Sequence, residues 1–170
     1  MAHELRGDAV TLRPYDRADL PALVRLVNEP EVAAWWGTYD EASLHEELTD
    51  DRLTVWTIVV DESPAGVVQA MEEHGPDYRH VSLDIFLSAD LHGRGLGAEA
   101  LRTALRHLFE DRGHHRATID PAVENEPAIR SYERVGFKPV GVERRAERAP
   151  DGRWRDALLM DLLAEELRSP

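Results

Sequence analysis

The middle of the chain holds a passage that few folds accommodate: an apolar strand, a turn with three glycines at alternate positions, and an amphipathic helix. His80 to Leu87 reads as a strand, with Val81, Leu83, Ile85 and Leu87 on one face. His92-Gly93-Arg94-Gly95-Leu96-Gly97-Ala98 follows. The helix expected over Gly95 to Glu110 carries Leu101, Ala104, Leu105 and Leu108 as a buried stripe and ends at Gly113. Glycines let a backbone approach a ligand with few Cβ atoms in the way. The helix start then offers unpaired N–H groups and a partial positive charge, a seat for a phosphate or pyrophosphate. Arg94 adds a charge-assisted contact there. No Gly-Lys-Ser/Thr follows, so the turn is not a P-loop, and glycines spaced two by two fail the dinucleotide fingerprint G-x-G-x-x-G. A plain flexible turn that caps a helix is the competing reading.

The flanking segments alternate between strand-like and helix-like, which argues for an α/β (α+β) domain. Val10 to Arg13 is a short strand stopped by Pro14. Leu20, Leu23, Val24 and Val27 recur at helical spacing, and Pro30 lies beyond the expected end. Asp40 is positioned to cap a second helix with Leu44 and Leu48 inward. Thr54–Val60 and Ala65–Met71 form a hairpin around Asp61 to Pro64. Ala117 to Ile119 runs as a strand into Asp120-Pro121, and Asn125 caps a helix that ends at Gly136. Phe137–Val142 and Trp154–Leu162 make two last strands. The expectation is one domain over residues 1–170, with a mixed sheet of about seven strands flanked by about four helices.

Composition narrows the chemistry. A length of 170 residues suits one domain with a real core. The absence of cysteine excludes a disulfide scaffold, a cysteine nucleophile and a Cys-ligated metal. His114-His115 has no further ligand at metal spacing, so no metal site is expected. The net charge is −13, with 14 acidic and 5 basic residues among the first 62. A negative field repels nucleic acid and anionic membranes and attracts cations. No apolar run approaches the roughly 20 residues needed to span a bilayer. Residues 1–8 show no apolar stretch behind their charges, so a cytoplasmic location is the expectation.

A second motif follows the glycine turn by about 25 residues: Asp120-Pro121, then Asn125-Glu126-Pro127-Ala128-Ile129-Arg130-Ser131-Tyr132-Glu133-Arg134-Val135-Gly136-Phe137. Together the two segments resemble the GNAT family of N-acetyltransferases, which transfer an acyl group from acetyl-CoA to an amine. The family's turn reads Q/R-x-x-G-x-G/A and its next helix N-x-x-A-x-x-x-Y-x-x-x-G-F. The element order also matches across essentially the whole chain. His92 departs from the first motif position, which weakens a side-chain contact to the pyrophosphate but leaves the backbone N–H groups of Arg94 to Gly97 in place. Within the family the chain is most similar to aminoglycoside 6'-N-acetyltransferases, through Trp35-Trp36-Gly37, Leu83-Asp84 and Thr118-Ile119-Asp120-Pro121. Acetylation of protein N-termini and a non-catalytic acyl-CoA-binding module are the alternatives, and a homodimer is compatible with either.

The resemblance implies roles for particular residues. Coenzyme A would lie on the residues from His92 to Ala98 (His92, Gly93, Arg94, Gly95, Leu96, Gly97, Ala98), with its pantetheine arm along Ile85, Phe86 and Leu87 and Asn125 in contact. Tyr132 would protonate the departing thiolate. A phenol titrates near 10 and is therefore protonated at neutral pH. Its other reading is a core tyrosine on the stripe of Ala128 and Ile129. Asp84 interrupts an apolar strand and Asp120 ends the next one. A carboxylate pair attracts a cationic amine and accepts its proton, directly or through water. An ordinary carboxylate near 3.9 is a poor base for such an amine, so Asp84 needs a raised pKa or serves to position the amine. Trp35 and Trp36, expected in a loop over the acceptor site, offer faces for a sugar ring or cation. Glu72 would widen an acidic rim. The acceptor implied is a cationic small-molecule amine.

Overall fold

The computed structural model describes residues 3–170. Eight strands form one sheet: β1 (Leu5–Arg6), β2 (Thr11–Pro14), β3 (Leu53–Val60), β4 (Ser63–Glu73), β5 (His80–Leu87), β6 (Arg116–Ile119), β7 (Lys138–Arg148) and β8 (Trp154–Leu163). Their order is β1-β2-β3-β4-β5-β6-β8-β7, and every neighbouring pair is antiparallel except β5–β6. Five helices accompany it: α1 (Leu20–Val27), α2 (Pro30–Trp36), α3 (Glu41–Leu48), α4 (Leu96–Glu110) and α5 (Glu126–Val135).

The sheet is covered on both faces at β3 and β4, which explains their continuous apolar runs, whereas β7 is exposed along nearly all its length. Along β3, Val55 joins a cluster with Leu20, Leu23, Leu44 and Leu48, while Trp56 and Ile58 join the opposite one with Leu101, Leu105 and Leu108. Along β4, Val67 and Val68 divide in the same way. Period-2 alternation thus sends successive side chains to α1–α3 on one side and α4 on the other. Asp19, at the start of α1, fixes that helix to the sheet. It accepts two hydrogen bonds of 2.9 Å from Arg13 and one of 2.9 Å from Thr57.

Two expectations from sequence need correction. The eighth strand is the two-residue β1, which pairs Leu5 with Leu12 and is too short to leave a periodic signal. The fifth helix is α2: Pro30 opens a helix instead of merely following one, since proline at the first helical position gives up an N–H that has no partner anyway. Trp35 and Trp36 therefore end a helix and do not lie in a loop. The caps do match the sequence reading. Asp40 and Ser43 form a capping box on α3, and the Asn125 side chain accepts from Ala128 N on α5.

One feature of the sheet creates the cleft. β5 and β6 pair only at Val81–Ala117 and Ser82–Thr118, and then part. The Ser82 and Thr118 hydroxyls lie 2.9 Å apart at the junction. Beyond it β5 runs on to Leu87 beside β4, and β6 turns away with β8.

The far end of β5 is held by a close approach. A Cβ on Gly66 would lie 2.1 Å from the Phe86 carbonyl oxygen and 2.9 Å from Leu87 Cα. Gly66→Ala should therefore lower stability by about 1–3 kcal/mol, the usual cost of overpacking. Denaturant unfolding at unchanged m-value checks this, and parental stability would contradict it.

Candidate active site

The parting strands open a cleft of about 950 Å³. Its donor-side wall is the exit of β5 followed by the glycine turn and the start of α4. Gly93 and Gly95 both take φ of +76°, a conformation that disfavours any side chain, and Gly95 stands as N-cap of α4. A Cβ at Gly93, Gly95 or Gly97 would meet nothing within 4 Å, so these glycines keep a concave backbone surface clear for something outside the chain. The first amides of α4 have no acceptor within the helix and lie at this surface. Arg130 and Arg134 of α5 also line the cleft. Free amides at a helix start fit the phosphates of coenzyme A.

The sequence-expected donor residues come together here, with qualifications. His92, Gly93, Gly95, Leu96 and Gly97 line the cleft, as do Ile85, Phe86, Leu87 and Asn125. The His92 Nε2 donates to the Leu87 carbonyl at 2.8 Å, so the departure at the first motif position ties the turn back onto β5. The Trp36 indole donates to the Ile85 carbonyl at 3.1 Å. Two carbonyls on the strand expected to receive pantetheine are thus already engaged. Phe86 is 4% exposed and packs edge-on against Trp36, with ring centroids 4.8 Å apart. Ala98 is buried in the core, so it can contribute only its backbone, and Arg94 does not line the cleft.

The other end is acidic. Asp84 and Asp120 lie there with Glu47 and Glu147, whose charges act on Asp84, and with Tyr39, which feels the Asp84 charge; Glu31, Trp35 and Trp36 also line the cleft. Asp84 is exposed to the cleft, with Asp120, Glu147, Glu47, Tyr39 and Tyr132 around it. Desolvation raises its pKa to about 7, opposed by a hydrogen bond from Ile85 N and reinforced by the charges of Asp120, Glu147 and Glu47. Asp120 is raised as well, first by burial and then by Glu143 and Glu147. Tyr132 is 9% exposed, and its ring lies edge-on to Phe137 at 6.3 Å while it also lines the cleft. Burial, then the charges of Asp84 and Asp120, push its phenol well above the ordinary value, so it stays protonated at neutral pH. Core packing and access to the cleft therefore coexist in one side chain.

Glu72 does not belong to this site. Its carboxylate accepts from Arg112 at 3.1 and 3.2 Å and from His114 at 2.7 Å, at the other end of β4 and away from the cleft. His74 also approaches, and potential ligand atoms of Glu72, His74 and His114 lie within 4.8 Å of one another. This grouping was invisible in sequence because β4 and the turn before β6 meet only in the fold. Both Glu72 oxygens are occupied by cationic or N–H donors, which makes the cluster an internal tie. Glu31, Tyr39, Glu47, Glu147 and Arg155 are among the cleft residues that the sequence reading missed, as are Arg130 and Arg134. Of the first five, only Glu47 left a signal, one helical turn from the buried Leu44 on α3.

Comparison with known proteins follows the same lines. Residues 9–138 match the family model described as acetyltransferase (GNAT) domain. The chain belongs to the GNAT family. Its relatives include an aminoglycoside N(6')-acetyltransferase type 1 of Klebsiella pneumoniae, 28% identical over 155 residues that cover 79% of this chain and 77% of that protein. A spermidine N(1)-acetyltransferase of Escherichia coli (strain K12) is 26% identical over 159 residues, covering 89% and 84%. Among solved structures, Mycobacterium smegmatis RimJ in complex with CoA-disulfide superposes with a TM-score of 0.82 at 26% identity, covering 98% of this chain and 88% of that one. The protein is a GNAT N-acetyltransferase, and acetyl-CoA is its donor.

Folding raises the Asp84 pKa, so its ionisation costs stability. The cost is absent below about pH 4, where the carboxyl is protonated in both folded and unfolded chains, and is complete above about pH 7. Asp84→Asn should therefore raise Tm more at pH 8 than at pH 5. An equal change at both would contradict the raised pKa.

Proposed function

We propose that this GNAT enzyme acetylates a primary amine of a cationic small molecule, an aminoglycoside at its 6'-amine, and so confers antibiotic resistance. The single observation that carries this reading is the charge polarity of the cleft. The free amides of the α4 start stand at one wall, with Arg130 and Arg134 also lining the cleft, and the carboxylates of Asp84, Asp120, Glu47 and Glu147 gather at another. A negative cup attracts an acceptor with several ammonium groups, and tryptophan faces suit a sugar ring or cation. The aminoglycoside relative supports the same acceptor. A polyamine is the second reading, favoured by the spermidine relative and by the carboxylates around Asp84, which attract ammonium groups whether or not a sugar carries them.

Acetyl-CoA supplies the activated acetyl group. This chain's residues then have two tasks. Asp84, poised near neutrality, accepts the proton of the incoming ammonium directly or through water, with Asp120 beside it holding the positive charge in place. Tyr132, kept protonated, donates its phenolic proton to the departing thiolate. Asn125 caps α5 through Oδ1 and presents its Nδ2 to the donor.

Thiol release from acetyl-CoA, measured against aminoglycosides, polyamines and short peptides, tests the acceptor. Turnover is expected with aminoglycosides that carry a 6'-amine. Turnover confined to polyamines would transfer the assignment to them, and turnover confined to peptides would overturn both readings. Asp84→Asn should cut kcat by about 10²–10⁴-fold, the usual worth of a general base, with acetyl-CoA affinity within about threefold. Tyr132→Phe should slow the transfer step, and an unchanged rate would leave the tyrosine purely structural.

A further inference from the structure

The seven-residue α2 is too short to hold itself together and depends on contacts at both ends. Its start is tied to the exit of β5, where Glu29 accepts from Ser88 Oγ at 3.1 Å and from Ala89 N at 2.7 Å. Trp36 adds the bond to the Ile85 carbonyl, also on β5. The opposite attachment comes from β8, across the gap where the sheet has parted. Arg155 donates Nη1 to the Ala34 carbonyl at 2.9 Å and Nη2 to the Trp35 carbonyl at 2.8 Å. These are carbonyls of the last turn of α2, which lack partners within the helix. The Arg155 guanidinium also lies 5.2 Å from the centroid of the Trp35 ring, and its Nε donates to Glu147 Oε1 at 2.8 Å. Arg155 is 6% exposed, and with four partners its buried charge is matched.

We propose that Arg155 is the positioning residue that bridges the two halves of the parted sheet, fixing α2 and Trp35 as the roof of the acceptor pocket and neutralising Glu147 there. The inference rests on the reading of the acidic end as the acceptor site. Arg155 contacts neither reacting atom. It acts through three groups: the helix end, the indole and the carboxylate. The arrangement also explains how a buried cation coexists with an acceptor site for cations. Its N–H groups are directed at protein carbonyls and at Glu147, so its charge is spent internally.

Glu147 gives the inference a second, electrical readout. Asp84 faces Asp120 from the end of β6, Glu147 from β7 and Glu47 from α3, with the Tyr39 and Tyr132 hydroxyls nearby. Arg155 is the cation paired with Glu147. Without it, an uncompensated carboxylate faces Asp84 and favours the protonated form.

Steady-state kinetics of Arg155→Met, Arg155→Lys and Arg155→Met/Glu147→Gln test this. The Met variant keeps the stem but loses the fork. It should raise the acceptor KM at least tenfold, leave the acetyl-CoA KM within about threefold, and move the acidic limb of the kcat/KM profile to higher pH. Adding Glu147→Gln should return that limb towards its parental position. Lysine keeps the charge but reaches only part of the set, so Arg155→Lys should recover part of the acceptor KM. Equal losses for acceptor and donor would make the residue a general stabiliser and overturn the inference, as would an acceptor KM within twofold of parental. Should the Met variant fail to fold, the lysine variant decides alone by the same split between acceptor and donor KM. Loss of the Asp84→Asn effect would instead sink the acceptor-site reading itself, which keeps the two failures distinct.

Discussion

A parallel strand pair that stops after two residues organises this molecule. Backbone N–H and C=O groups that leave a ladder must find other partners, because leaving them unpaired in a protein interior is costly. Past Ser82 and Thr118, β5 has a free edge facing the gap. Its Ile85 carbonyl takes the Trp36 indole, its Leu87 carbonyl takes His92, and its Ile85 N–H takes the Asp84 carboxylate. Each partner belongs to the cleft. The edge thus assembles its own surroundings: the tryptophan brings the roof, the histidine brings the glycine turn, and the aspartate is oriented by the strand it sits on. The same edge can exchange some of these side-chain partners for the amides of a pantetheine arm, since exchange of one hydrogen bond for another is nearly neutral in free energy.

Charge is sorted along that gap by topology. Of the carboxylates that gather around Asp84, only Glu47 comes from the acid-rich first 62 residues; Asp120 and Glu147 come from the end of β6 and from β7. The start of α4 stands at the opposite wall. Asp84 and Tyr132 lie near each other in the cleft. Burial raises both of those groups, but with different consequences. It brings a carboxyl up to the working pH, where it can exchange a proton. It moves a phenol further from ionisation, where it can only donate. One physical cause, desolvation, thus suits the carboxyl to the base role and the phenol to the acid role proposed above.

Much of this was legible in the sequence, and the reasons for the rest are physical. The glycine turn, the caps of α3 and α5, and the alternation of β3 to β5 are local patterns, and local geometry suffices to read them. Pro30 misled because a proline after a helix and a proline opening the next one look alike over a single turn. β1 left no signal because two residues define no period. Glu72 reads as a strand-end acid pointing to the rim, but it folds onto His114 and Arg112, 42 and 40 residues away in the chain. Arg155 stands between Trp154 and Asp156 on β8, a setting that gives no sign of its burial. Its partners Ala34 and Trp35 lie about 120 residues earlier and offer only backbone carbonyls, which no residue type announces.

The clamp on α2 and the raised Asp84 pKa are two sides of one constraint. The Asp84 side chain is open to the cleft, so its raised pKa depends on the carboxylates of Asp120, Glu147 and Glu47 around it and on how far the nearby α2 limits the water that reaches it. Yet an acceptor has to enter beneath that roof. A seven-residue helix fixed at its two ends and otherwise resting on a few apolar contacts meets both demands better than a long, rigid helix would. Its end contacts are hydrogen bonds and the stacking of Arg155 on Trp35, which fix orientation through geometry and can open one at a time. The core beneath, with Val32 packed among Leu23, Val27 and Phe86, supplies the adhesion that returns the helix to its place. The acidic end is therefore destabilised by its own charges and held by groups drawn from β5 and β8, so that the parting of two strands and the chemistry expected between them depend on the same few contacts.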